Sequence, residues 1–134
     1  MPETAKITIA REDQGDITIV SFTECLGEEG KGHLDFKNTV TLRTFLHNLK
    51  KIGRRHIIID MGIITKICSY AVGVFVALVQ GLREMSGDLK FCNLQQRVRD
   101  TFESTGAIHV VEILNSKREA VSAFQKGEEK ADEN

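Results

Sequence analysis

An α/β fold with a mixed sheet of about five strands and four helices is what this sequence predicts. Three observations carry the prediction. Strand-like and helix-like segments alternate in the order β-β-α-β-α-β-α-β-α. The segment His56 to Asp60 holds three consecutive isoleucines, as expected of a strand covered on both faces with a parallel neighbour. The stretch from Tyr70 to Met85 is apolar nearly all round at its start, so it should be the most buried helix. Short connections then imply right-handed crossovers in a layered α/β domain.

The elements follow in order. Lys6 to Ala10 and Asp16 to Phe22 cluster β-branched residues and read as strands. The polar run Arg11 to Gly15 between them reads as a hairpin turn. Thr23 to Gly32 carries three glycines and fits no periodic template, which predicts an irregular, mobile loop. Leu42, Phe45, Leu46, Leu49 and Ile52 fall at helical spacing, so a helix runs from about Asn38 to Ile52 and stops at Gly53. After the strand His56 to Asp60, the second helix should turn Val72, Phe75, Val79 and Leu82 toward the sheet and end at Gly87. Leu89 to Cys92 reads as a strand, Gln95 to Glu103 as a helix closed by Gly106, and Ile108 to Ile113 as a strand. A last helix, Lys117 to Phe124, is capped by Ser116. Residues 127–134 are polar and charged and predict a disordered tail, leaving 1–126 as a single domain.

Composition narrows the function classes. Of 134 residues, 41% are hydrophobic and 28% charged, with a formal net charge of −1, which is ordinary for a globular domain and gives no reason to expect a nucleic-acid partner. The longest apolar stretch, Ala71 to Val79, is too short to cross a bilayer, so no membrane insertion is expected. Residues 1–6 lack an apolar signal core, which points to the cytoplasm. Cys25, Cys68 and Cys92 are odd in number and dispersed, so free thiols are expected rather than disulfides. The four histidines, at 33, 47, 56 and 109, form no ligand cluster, and no metal or cofactor is expected. Nor is an enzyme: the glycines Gly27, Gly30 and Gly32 do not open a helix after a strand, and no serine elbow is present. Asp60, at a strand end, reads as a cap for the loop that follows.

The segment after Asp60 carries the most information. A short loop delivers Ser69 to the mouth of the second helix, among free backbone N–H groups on the positive end of its dipole. That place suits an N-cap, and it equally suits a phosphate. Asp35 poses a similar pair of roles, as a cap for the first helix or as an exposed charge for a partner. Since asparagine caps about as well as aspartate, capping alone predicts that Asp35→Asn leaves stability unchanged.

At these residues the chain resembles the STAS-domain anti-sigma factor antagonists of bacteria, over roughly residues 6–125. Gly32-His33-Leu34-Asp35 resembles the family's Gly-x-Leu-Asp segment before its first helix, and Ile57 to Asp60 its hydrophobic strand ending in aspartate. Ser69 falls on the serine that a cognate kinase phosphorylates, and Gly73 on a glycine inside the next helix. Val98 through Phe102, Thr105 and Gly106 to Ile108, Val110 and Val111 resembles the family's helix-glycine-strand ending. The run Cys68-Ser69-Tyr70-Ala71 departs from the family, where an aspartate precedes the serine and a small hydroxyl residue follows it.

The resemblance implies a protein-binding switch. Its partner is an anti-sigma factor serine kinase, and phosphorylation falls on Ser69. His33, Asp35, Cys68, Tyr70 and Gly73 lie on the partner-contacting edge. The alternative that the resemblance also allows is a non-phosphorylated STAS adaptor subunit of a signalling assembly or a lipid-transport complex. A homodimer or larger assembly is compatible with either.

Overall fold

The structure is a computed structural model that describes residues 6–132, with side chains described for residues 6–126. In chain order the elements are β1 (Lys6–Gln14), β2 (Ile17–Gly27), β3 (Gly30–Lys31), β4 (His33–Leu34), α1 (Phe36–Lys51), β5 (His56–Asp60), β6 (Lys66–Ile67), α2 (Ser69–Glu84), β7 (Asp88–Cys92), α3 (Gln96–Ser104), β8 (Glu112–Leu114) and α4 (Lys117–Asp132), with a 3-10 turn at Ala107–His109. The main sheet has the order β1-β2-β5-β7-β8, and β3 folds back on β2. β2 is antiparallel to both β1 and β3, and the ladders β2–β5, β5–β7 and β7–β8 are parallel. β4 and β6 form a separate parallel pair. The mixed α/β sheet with four helices is therefore as the sequence predicts.

Two layers of core account for these elements. α1, α2 and α3 pack on one face of the sheet, where Val72, Phe75, Val79 and Leu82 are buried as their spacing predicts. Phe75 sits against Phe91 with ring centroids 4.9 Å apart, and Phe91 against Phe102 at 5.3 Å, each edge to face. α4 covers the other face, where Ala120 and Phe124 pack on Ile17, Ile19, Ile58 and Cys92. That face also holds Lys90, 7% exposed, which pairs with Asp88 at 3.4 Å and with Glu112. Its ammonium lies 4.6 Å from the centre of the Phe124 ring, so an amphipathic side chain lies beneath the helix.

Four expectations are corrected. The hairpin turn is two residues, Gly15 and Asp16, because the ladder runs on to Gln14 opposite Ile17. Thr23 to Gly32 is not an irregular loop. β2 continues to Gly27, turns through Glu28 and Glu29, and returns as β3 with Leu26 opposite Lys31. Ile108 to Ile113 is not one strand. Gly106, at φ 80°, breaks the chain into the 3-10 turn, and the ladder forms at Glu112–Leu114, while Val111 is buried as a plug of the core. Finally, α4 does not end at Phe124 but continues to Asp132, through most of the expected tail. Glu128, Glu129, Lys130 and Ala131 are strong helix formers and outweigh Gly127. Residues 133–134 of that expected tail lie outside the described residues.

Phe75 is 1% exposed at the centre of the aromatic cluster. Phe75→Ala should destabilise the fold by about 3–5 kcal/mol, read from urea unfolding.

Candidate protein-docking site

The site is built where β5 ends. Asp60 Oδ1 accepts the Gly62 N–H at 2.9 Å, the strand-end cap expected of it. The chain then passes the β3–β4 strap. Thr65 N–H donates to Gly32 O at 2.9 Å, His33 and Leu34 pair with Lys66 and Ile67, and Cys68 N–H donates to Leu34 O at 3.1 Å. These bonds hold Cys68 extended, at φ −86° and ψ 162°, so helical dihedrals begin one residue later.

The consequence is a correction. Cys68 occupies the N-cap position of α2, and its thiol makes no capping bond. Ser69 is the first residue inside the helix and caps nothing. It is exposed, and its hydroxyl forms no hydrogen bond among the described residues. The first turn of α2 thus has N–H groups without a side-chain acceptor, beside a free hydroxyl, on the positive end of a 16-residue helix.

Next to Ser69 lies an aromatic pair. Phe36, the first residue of α1, is 61% exposed and carries the Tyr70 ring against it, centroids 4.7 Å apart. Tyr70 therefore leans toward α1 rather than over Ser69. Val40, one turn along α1 from Phe36, and Ile63, beside the β2–β3 hairpin, are further exposed hydrophobics, at 41% and 44%. Gly73 lies one turn beyond Ser69 on the same helix face, is exposed, and has no neighbour within 4 Å of where a Cβ would sit. Nothing inside the fold requires a glycine there.

Asp35 and His33 are placed differently from the other candidates. Asp35 is 6% exposed and both its oxygens are engaged. Oδ1 accepts the Asn38 N–H at 2.9 Å, capping α1, and Oδ2 accepts the Glu28 N–H at 2.9 Å, fixing the hairpin tip. Asn38 completes the arrangement, since its Nδ2 donates to Leu26 O and His33 O, each at 3.1 Å. His33 is 8% exposed, with Nδ1 accepting the Glu29 N–H at 3.3 Å. Close packing of the strap demands two glycines: a Cβ on Gly27 would lie 2.3 Å from His33 O, and one on Gly32, at φ 80°, 2.6 Å from Thr65 Oγ1.

Charge follows the same plan. The Lys66 ammonium, hydrogen-bonded to Glu29, holds that carboxyl below the usual range. Burial pushes the Cys25 thiol up to about 11 and the Cys92 thiol to about 12, so neither is a nucleophile at neutral pH. Among the described residues, no group of three or more His, Cys, Asp or Glu side chains is placed to hold a metal ion, and no helix is long and apolar enough to cross a membrane.

The structure thus brings Cys68, Ser69, Tyr70 and Gly73 together at one end of α2 and sets Asp35 and His33 beneath them as supports. Sequence reasoning did not single out Phe36 and Asn38. An aromatic directly after an N-cap aspartate was the available signal for the first, and an amide two residues further on for the second.

Known proteins share this fold. Residues 29–120 match the family model described as the STAS domain. A protein of Bordetella bronchiseptica named as an anti-sigma factor antagonist, BtrV, is 32% identical over 73 residues, which span 54% of this chain and 63% of that protein. The crystal structure of an anti-sigma factor antagonist from Mycobacterium paratuberculosis superposes with a TM-score of 0.75 at 17% identity, over 90% of this chain and 95% of that one. The Bacillus cell fate determinant SpoIIAA in its phosphorylated form superposes with a TM-score of 0.63 at 17% identity, over 87% and 99%.

Two outcomes test the site's construction. An asparagine at 35 has one acceptor oxygen for two N–H donors, one buried and one part-buried, so Asp35→Asn should cost about 1–3 kcal/mol in urea unfolding rather than be neutral. Gly73→Ala should raise stability by about 0.5–1 kcal/mol in the same measurement, because it relieves a helix-interior glycine and meets no neighbour.

Proposed function

The chain belongs to the STAS domain family, and on that footing we propose that it is an anti-sigma factor antagonist switched by phosphorylation of Ser69. The supporting observation is the state of Ser69: exposed, first in its helix, and with its hydroxyl bonded to nothing else among the described residues. A serine kept for capping would have its hydroxyl on a backbone N–H. This one is presented outward.

The unmodified domain docks on an anti-sigma factor that is itself a serine kinase, and thereby releases a sigma factor. Its role is regulatory rather than catalytic. Phe36, Tyr70, Val40 and Ile63 offer the apolar contact area, and Gly73 lets a partner approach the backbone of α2 one turn from the serine. Asp35 and His33 act by holding the strap against which Cys68 and Ser69 are placed. In the kinase step, Ser69 Oγ forms a bond to the γ-phosphorus of ATP, the bond from that phosphorus to the β-phosphate oxygen breaks, ADP leaves, and a base of the kinase takes the hydroxyl proton.

The product carries about −1.5 to −2 of added charge at the contact surface. The uncapped first turn of α2 supplies donors and positive potential for it, so the domain keeps its fold. The partner meets a buried anion in place of a hydroxyl and dissociates.

Ser69→Asp should weaken binding to the partner kinase by about tenfold or more, about 1.4 kcal/mol. Ser69→Ala should bind like wild type and accept no phosphate on incubation with that kinase and ATP. Equal affinity of all three forms by titration calorimetry rules out the switch.

A further inference from the structure

We propose that the groove between α1 and α2 is a docking channel for an acidic, amphipathic helical segment of a protein partner. The proposal rests on the reading that this domain acts by binding a protein, and it adds the chemistry of what is bound. The groove encloses about 500 Å³ beside the serine end of α2. Leu46, Val74 and Leu78 give it an apolar floor, and Arg43, His47 and Lys50 stand along the α1 wall.

Three features assign the occupant. First, Arg43, His47 and Lys50 recur at i, i+4 and i+7, so they line one edge of α1, and none of them forms an ion pair among the described residues. Second, the charge around them is one-sided. α1 carries Lys37, Arg43, Lys50 and Lys51 and no Asp or Glu, and none of these four cations forms an ion pair among the described residues. The net charge of −1 conceals this separation. Third, the α2 wall is low. Gly73 and Ala77 line it, and both are exposed, so the backbone of a bound segment can lie close. At the far end Gly81 leaves room for Lys50 to reach across α2, where a Cβ would stand 2.6 Å from its Nζ.

An apolar floor with a cationic edge fits a helix whose carboxylates run beside its apolar stripe. A nucleic acid is the poorer match. The one aromatic lining the groove is Tyr70, whose ring is already against Phe36, so no stacking platform is offered.

The test uses the full chain and a fluorescein-labelled helical peptide of about 15 residues, with three glutamates along one edge and leucine and alanine along the other. Matched peptides carry glutamine or lysine in place of the glutamates. Wild type should bind the glutamate peptide at least tenfold more tightly than either control, and binding should fall as salt rises from about 0.05 to 0.5 M. Arg43→Glu with Lys50→Glu should lose it by a further factor of ten or more, and Arg43→Gln with Lys50→Gln should do so in part. Circular dichroism of both variants checks that they are folded. Backbone amide shifts should cluster on residues 43–50 and 70–78.

Similar affinities for the three peptides, shifts elsewhere, or no binding of the glutamate peptide at all overturn the proposal. So does displacement of the glutamate peptide by a thymidine 15-mer of single-stranded DNA, or concentration-dependent dimerisation by sedimentation that the charge reversal abolishes. The first makes the groove a nucleic-acid site and the second a self-association site. The phosphorylation reading is judged separately, by Ser69→Asp against the partner kinase, so the two can fail independently.

Discussion

A carboxylate buried to 6% exposure must have donors, and the donors of Asp35 tie together the parts that build the site. One oxygen closes the first turn of α1, and the other holds the tip of the β2–β3 hairpin. Between them Asn38 donates to two carbonyls of the strap, Leu26 O and His33 O, the second of which also accepts from the Cys25 thiol. Because the strap is fixed, Leu34 O is in place to receive the Cys68 N–H, and because Cys68 is held extended, α2 begins at Ser69. The position of the outward-facing hydroxyl is therefore set by a polar knot on another segment of chain, more than thirty residues earlier in sequence.

This explains which parts were legible in the sequence. His56 to Asp60 and the buried face of α2 announce themselves because their side chains answer to a single periodicity, and burial follows it. The 23–32 segment hides because its order comes from elsewhere. Its tip is held by acceptors on Asp35 and His33, and two of its glycines serve close approach rather than looseness. The stretch from Ile108 to Ile113 misleads in the other direction: it is rich in β-branched residues, but Gly106 and the burial of Val111 assign most of it to a core plug. Apolar spacing in α4 stops at Phe124, while the helix runs on to Asp132 through good helix formers that carry no such periodicity.

At the site, the sequence located Ser69 at a helix mouth but could not separate a capping hydroxyl from a free one. That distinction is a matter of a single residue's dihedrals, and it is decided by the β4–β6 pair, too short to register as strands in the sequence. The placement of Asp35 was legible as a cap, and its second bond, to the hairpin, was not. The Tyr70 ring rests on Phe36, a pairing between two helices that sequence spacing does not reveal.

The uneven placement of charge has a further effect, on approach rather than contact. A nearly neutral molecule in which one helix, α1, carries four cations and no carboxylate exerts little net pull at long range but a turning moment at short range. A partner bearing carboxylates is rotated into register during the encounter, within a Debye length of about 8 Å at physiological salt. Adding a phosphate to Ser69, on the helix packed beside α1, alters that moment as well as the local contact. A modification at one residue thereby shifts how often collisions are productive, and not merely how long the resulting complex lasts.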